Sequence, residues 1–133
     1  SLSTLIETNK KAYYDALKEA QGSNEITPWI ICFVKTILEA HIYAEKQIEF
    51  TLNKAKFFDR FKGQLNDRQL KVIQRMLKEG IHGFKGGMST KNYIAITSTS
   101  KATATRDLQD LTEKGIFIST GGGRSTRYEI NLG

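Results

Sequence analysis

The stretch SKATATRDLQDLTEKG, residues 100–115, holds the side chains of this chain best suited to touching another molecule. Ser100 is placed to cap a helix by accepting an orphan backbone N–H. Gly115 stands just past the end, where a left-handed residue is favoured. Ala104, Leu108 and Leu111 recur at i, i+4 and i+7 and make one apolar stripe. The face away from that stripe holds Ala102, Thr103, Thr105, Arg106 and Gln109, with Lys101 at the tip. Small side chains let a helix backbone come close to a partner. Thr hydroxyls can bond bases or phosphates, and Arg106 is long enough for a guanine edge or a phosphate. Lys101 adds charge to a helix end already positive from its dipole. The plainer alternative is a packing face filled with Ala and Thr.

A second group lies in GGGRSTRYEI, residues 121–130. Three glycines suit a hairpin tip. Arg124 sits on that tip, Ser125 follows it, and Arg127 opens the returning strand. Such a wing lies along a nucleic-acid backbone or in the minor groove, where guanidinium groups meet phosphates. Alone, it reads as a solvent hairpin. Beside Lys101 and Arg106 it reads as half of a DNA-binding surface. The glycines do not form a phosphate-cradling loop, because the Gly-x-x-x-x-Gly-Lys-Ser/Thr spacing is missing.

No catalytic or metal-binding set appears in the sequence, and no cofactor is expected. His41 and His82 are far apart, and neither is expected to belong to a ligand set. His41 falls in an apolar stripe and is expected in a core or an interface; His82, beside Gly83, is expected in a loop. Cys32 lies in the apolar run WIICFV and is expected to be packed and inert. Trp29 is expected to anchor helical packing.

Several elements must position these side chains. STLIETNKKAYYDALKEAQ predicts a helix to about Gln21, with Leu5, Tyr13, Ala16, Leu17 and Ala20 making contacts. GSNEIT breaks it. Thr27 then caps a long helix with Pro28 at its first position. Ile30, Phe33, Val34, Ile37, His41, Ala44, Ile48, Leu52 and Ala55 keep helical phase along it. Unbroken, it is roughly 35 residues and ~50 Å long. Such a rod needs a second surface, so the stripe is expected to pack on the first helix and on a second chain.

Gly63 and Asn66/Asp67 mark the next boundary. DRQLKVIQRMLKEG predicts a helix with Leu70, Ile73 and Leu77 on one face and Gly80 as its stop. IHGFKGGM is a connector expected to pair as a short strand near Met88. STKNYIAIT is a short helix capped by Ser89, and STS turns into the helix from Ser100. IFIST and TRYEINL are strand-like. The fold class is therefore mainly α with a small β wing. Residues 1–62 are a helical segment, and residues 64–133 a winged helix-turn-helix domain.

Charge agrees with that division. Residues 1–63 carry nine Lys+Arg against eight Asp+Glu, and residues 64–133 carry eleven against six. The second half holds nearly all of the net +6 and suggests a polyanion partner. The single Cys excludes a disulfide framework and suits a reducing cytoplasm. No apolar run approaches the ~20 residues of a membrane span, and no signal peptide is visible. No membrane partner is expected.

The segments YYDALKEAQGSNEITPWIICFV, KAKFFDRF and LNDRQLKVIQRMLKEG through TRYEINL resemble the C-terminal region of bacterial Fic-family proteins. The resemblance is specific at TPW, LNDRQ, ATATRDL and GGGRSTRYE. In that family a catalytic Fic domain precedes a winged-helix module. The complete domain transfers a nucleotide, usually AMP, onto protein hydroxyls through a loop H-P-F-x-x-G-N-G-R. No His-Pro and no Gly-Asn-Gly-Arg occur in this chain. The resemblance implies that residues 1–62 are the closing helices of a Fic domain and a connecting rod, with the loop upstream. This chain is then expected not to be an enzyme. A DNA-binding transcriptional regulator is the first functional expectation. A docking or dimerisation module that restrains or positions an upstream Fic domain is the second. A dimer suits DNA binding, because paired recognition helices read two half-sites.

Overall fold

A computed structural model describes residues 7, 9–22 and 26–133. Leu5 and residues 23–25 of the expected break lie outside the described residues. The chain divides into two compact units, one up to Glu49 and one from Phe50 onward.

In the first unit, α1 runs Lys10–Gly22 and α2 begins at Thr27, continuing to Arg60 in the second unit. Ile30 N donates to Ile26 O at 3.0 Å, so Thr27 lies in the first turn rather than capping it. Pro28 is tolerated there because first-turn N–H groups have no intrahelical partner. Tyr13, Ala16, Leu17 and Ala20 of α1 are half-buried, in agreement with the sequence. Asn9 Nδ2 donates to Glu39 Oε2 at 3.4 Å.

The side of α2 that is covered differs from the expected stripe. Thr36 is buried, and Trp29, Cys32, Ala40, Tyr43 and Gln47 are half-buried. Ile30, Phe33, Val34, Ile37, Ile48 and Leu52 are exposed. His41 is not in a core, which leaves the interface alternative open: its side chain is 71% exposed, with Nε2 3.3 Å from Glu45 Oε1. The reason is that small and amphipathic residues line the covered side, where Thr36 spends its hydroxyl on Cys32 O at 2.8 Å. Trp29 stacks on Phe33 with ring centroids 5.2 Å apart.

In the second unit, α3 spans Asp67–Leu77, α4 Thr90–Thr97 and α5 Lys101–Glu113. Strands β1 (Phe117–Thr120) and β2 (Arg127–Ile130) form an antiparallel hairpin, with Phe117 opposite Ile130 and Thr120 opposite Arg127. Met88 exchanges two backbone bonds with Tyr128, at 2.8 and 2.9 Å, so a single-residue bridge stands where a short strand was expected. Gly87 lets it come that close. Its φ is +68°, and a Cβ there would lie 3.0 Å from Arg127 Cβ. This order of helices and hairpin is a winged helix-turn-helix: mainly α, with a small β wing.

Each helix start has a chemical cause. Asn66 caps α3 by accepting from Gln69 N, and the Gln69 side chain accepts from Asn66 N in return. Ser89 accepts from Asn92 N at α4. Ser98 ends α4 in the left-handed conformation, with φ of 54°. The core gathers Val72, Ile73, Met76 and Leu77 of α3, Tyr93 of α4, Ala104, Leu108 and Leu111 of α5, and Ile116, Phe117 and Met88. Phe57, from the last turn of α2, and Phe61, just past its end, join it. Leu70 is only half-buried; the neighbouring Gln69 is buried in its place.

Candidate nucleic-acid interface

Helix α5 starts where the sequence placed it. Thr103 N donates to Ser100 Oγ at 3.2 Å, and Gly115 adopts a φ of +71° just beyond the end. Ala104, Leu108 and Leu111 are buried. The opposite face presents Ala102, Thr105, Arg106 and Gln109 at i, i+3, i+4 and i+7, and Lys101 stands at the tip. All five are exposed.

The polar groups on this face differ in availability. Thr103 is half-buried, and its Oγ1 accepts from Ser100 Oγ at 3.0 Å. Thr105 donates to Lys101 O at 2.8 Å, which leaves its hydroxyl oxygen free to accept. Gln109 Nε2 donates to Glu113 Oε1 at 3.1 Å. Lys101 and Arg106 have no ion-pair partner among the described residues.

The wing is built by its glycines. Gly121 has φ of +78°, and a Cβ there would meet Ser125 O at 2.8 Å, so the tight tip demands glycine. Residues Gly123–Ser125 form a single 3₁₀ turn that carries Arg124 outward. Ser125 Oγ donates to Gly122 O at 2.9 Å. Arg127 Nη1 donates to Thr126 O at 3.1 Å. Arg124, Ser125 and Arg127 are all exposed. The structure thus gathers Lys101, Thr105, Arg106 and Gln109 on one helix face and the other three on the wing. No hydrogen bond among the described residues joins the two groups.

Charge is segregated more sharply than the totals show. From residue 80 to Arg106 the chain carries Lys85, Lys91, Lys101 and Arg106 and no carboxylate. The acids of α5 all follow Arg106, and two of them, buried Asp107 and partly exposed Asp110, are held by bonds within the fold. Asp107 is buried and accepts from Arg68 Nε at 2.7 Å and Nη2 at 3.0 Å, from Tyr93 OH at 2.8 Å and from Asn66 Nδ2 at 3.1 Å. Asp110 accepts from Lys114 Nζ at 2.7 Å and Gln69 Nε2 at 2.8 Å. Burial pushes the Asp107 carboxyl up, but bonds from Arg68, Tyr93 and Asn66 outweigh it and hold the group below the usual range. Lys114 and Gln69 lower Asp110 in the same way. Burial and the bond to Asp107 raise the Tyr93 phenol.

No local pattern in the sequence marks this hub as a whole. One signal is present: Asp107 stands at i+3 from Ala104 and i−4 from Leu111, inside the apolar stripe of α5. A carboxylate at a core position needs donors from other elements, and Arg68, Asn66 and Tyr93 supply them.

The fold and this surface define a winged helix-turn-helix with a basic exposed face on α5. Residues 71–131 match the family described as the C-terminal domain of DIP2311-like transcriptional regulators. The matched stretch runs from α3 through the wing, and the similarity supports a regulatory role for this part of the chain. No curated protein matches the chain. Among the described residues, no helix is long and apolar enough to cross a membrane.

Proposed function

We propose that the C-terminal unit binds double-stranded DNA as the regulatory module of a transcriptional regulator. The N-terminal turns of α5 enter the major groove, and the wing lies on the backbone. One observation carries this reading: the exposed face of α5 holds Lys101 and Arg106 without carboxylate partners, while the acids of the same helix begin only at Asp107. A helix meant only for solvent has no reason to sort its charges along its axis. This order also opposes the helix dipole, which favours acids at the N-terminus. A polyanion at that end resolves the conflict.

The roles follow from reach. Arg106 reads a base edge, Lys101 and the two wing arginines meet phosphates, and the Thr105 hydroxyl oxygen accepts at close range. Gln109 and Thr103 contribute less, because the Gln109 amide already donates to Glu113 and Thr103 is half-buried. The similarity of TPW, LNDRQ, ATATRDL and GGGRSTRYE to Fic-family tails supports placing this module downstream of a Fic domain. The module itself is then not an enzyme.

Selection of a preferred duplex followed by variant titrations tests the assignment. Arg106→Ala should cost on the order of 1–3 kcal/mol at the selected site and less on random duplex. Arg124→Ala and Arg127→Ala should weaken both alike. If Arg106→Ala leaves the selected site unaffected, the major-groove placement of α5 is wrong.

A further inference from the structure

From the exposed face of α2 we infer that two copies of this chain pair through that helix, antiparallel, about the His41–Glu45 step. Four observations on one face lead there. Ile31, Val34, Leu38 and Ile48 are between 50% and 61% exposed. With His41 and Glu45 they stand at 31, 34, 38, 41, 45 and 48, the alternating three- and four-residue spacing of a coiled-coil seam. Ile30, Ile37 and Ile42 flank that seam and are also exposed. His41 Nε2 lies 3.3 Å from Glu45 Oε1 in the middle of it.

Area argues for a partner. Seven half-exposed aliphatic side chains present on the order of 600 Å² of apolar surface, near the ~800 Å² that each side of a standard interface contributes. A contiguous patch of that size on a soluble domain marks an interaction surface.

Symmetry argues that the partner is a second copy. Read in either direction, the centre of the seam runs apolar, polar, polar, apolar: Leu38, His41, Glu45, Ile48. A two-fold axis between His41 and Glu45 sets His41 against the partner's Glu45, and Leu38 against the partner's Ile48, each twice. Each His41 then has a carboxylate across the seam, and each Leu38 an apolar Ile48. A parallel pair would instead oppose Glu45 with its own copy. Polar residues at one seam layer fix register at some cost in stability. This inference is independent of the DNA reading, since none of its residues lies on α5 or the wing.

Sedimentation of the full 133-residue chain is the first test, with a reversible dimer expected at ~10–100 µM. A strict monomer at 100 µM overturns the proposal and leaves the face to some other protein. Leu38→Glu should keep the helical circular dichroism of the parent and raise the dimer dissociation constant at least about 100-fold, because two apolar layers are lost by symmetry. An unchanged dimer would place the interface elsewhere and overturn the proposal. Register is read by disulfide trapping in a Cys32→Ser background. Leu38→Cys chains mixed with Ile48→Cys chains should cross-link on oxidation, and Leu38→Cys alone should not. Cross-linking of Leu38→Cys to itself, or a dimer that fails to cross-link in the mixture, would overturn the antiparallel arrangement.

Discussion

Arg68, in the first turn of α3, grips Asp107, in the middle of α5, with two parallel bonds: Nε to Oδ2 at 2.7 Å and Nη2 to Oδ1 at 3.0 Å. The pair fixes the proposed recognition helix against the helix that starts the domain. Tyr93 adds α4 to the same carboxylate. All three helices of the motif therefore meet at one buried group.

Asp107→Ala should destabilise the C-terminal unit by about 2–4 kcal/mol, because it leaves the buried Tyr93 hydroxyl and the Asn66 amide without their acceptor. Arg68→Ala should cost less, since solvent can replace part of what a half-exposed guanidinium supplies. Urea unfolding of the two variants checks the order. An Asp107→Ala protein as stable as the parent would mean that the hub holds nothing together.

The same hub sets a pH dependence. Asp107 and Asp110 are held below their ordinary values in the folded chain. Their stabilisation is present above about pH 4 and is lost as the pH falls through the folded values. Tyr93 is raised, so its contribution holds up to about pH 10 and is lost as the pH climbs further. Thermal melts of Asp107→Asn should therefore lose much of the acid-side slope seen in the parent. An identical slope would assign acid sensitivity to other carboxylates.

How much of this was legible in the sequence depends on the element. α3, α4, α5 and the hairpin were readable because each carries its own local punctuation: Asn66, Ser89 and Ser100 at starts, and Gly80, Gly115 and Gly121 at turns. The exposed face of α5 followed from the position of Leu108 and Leu111. The covered side of α2 was not readable. Apolar phase identifies a face that wants burial, and it does not say which neighbour is present to bury it. The Asp107 hub was missed because its donors stand 14 to 41 residues away and meet only in the fold.

Nucleotide transfer gives a separate check on the proposed role. The full chain incubated with ATP and Mg²⁺ should acquire no covalent AMP, because neither the loop H-P-F-x-x-G-N-G-R nor a His-Pro occurs in it. An added AMP found by intact-mass spectrometry would make this chain catalytic and end the reading of it as a binding module.

The most direct measurement is a fluorescence titration of the full chain on random duplex DNA over a range of salt. Binding should be present at low salt and weaken steeply as salt rises, with a log–log slope of about −0.9 for each phosphate contacted. Arg124→Ala should flatten that slope by about one contact. No binding at concentrations up to roughly 10⁻⁴ M, the weak end of ordinary non-specific affinity, would contradict the account and leave protein docking as the role of the basic face.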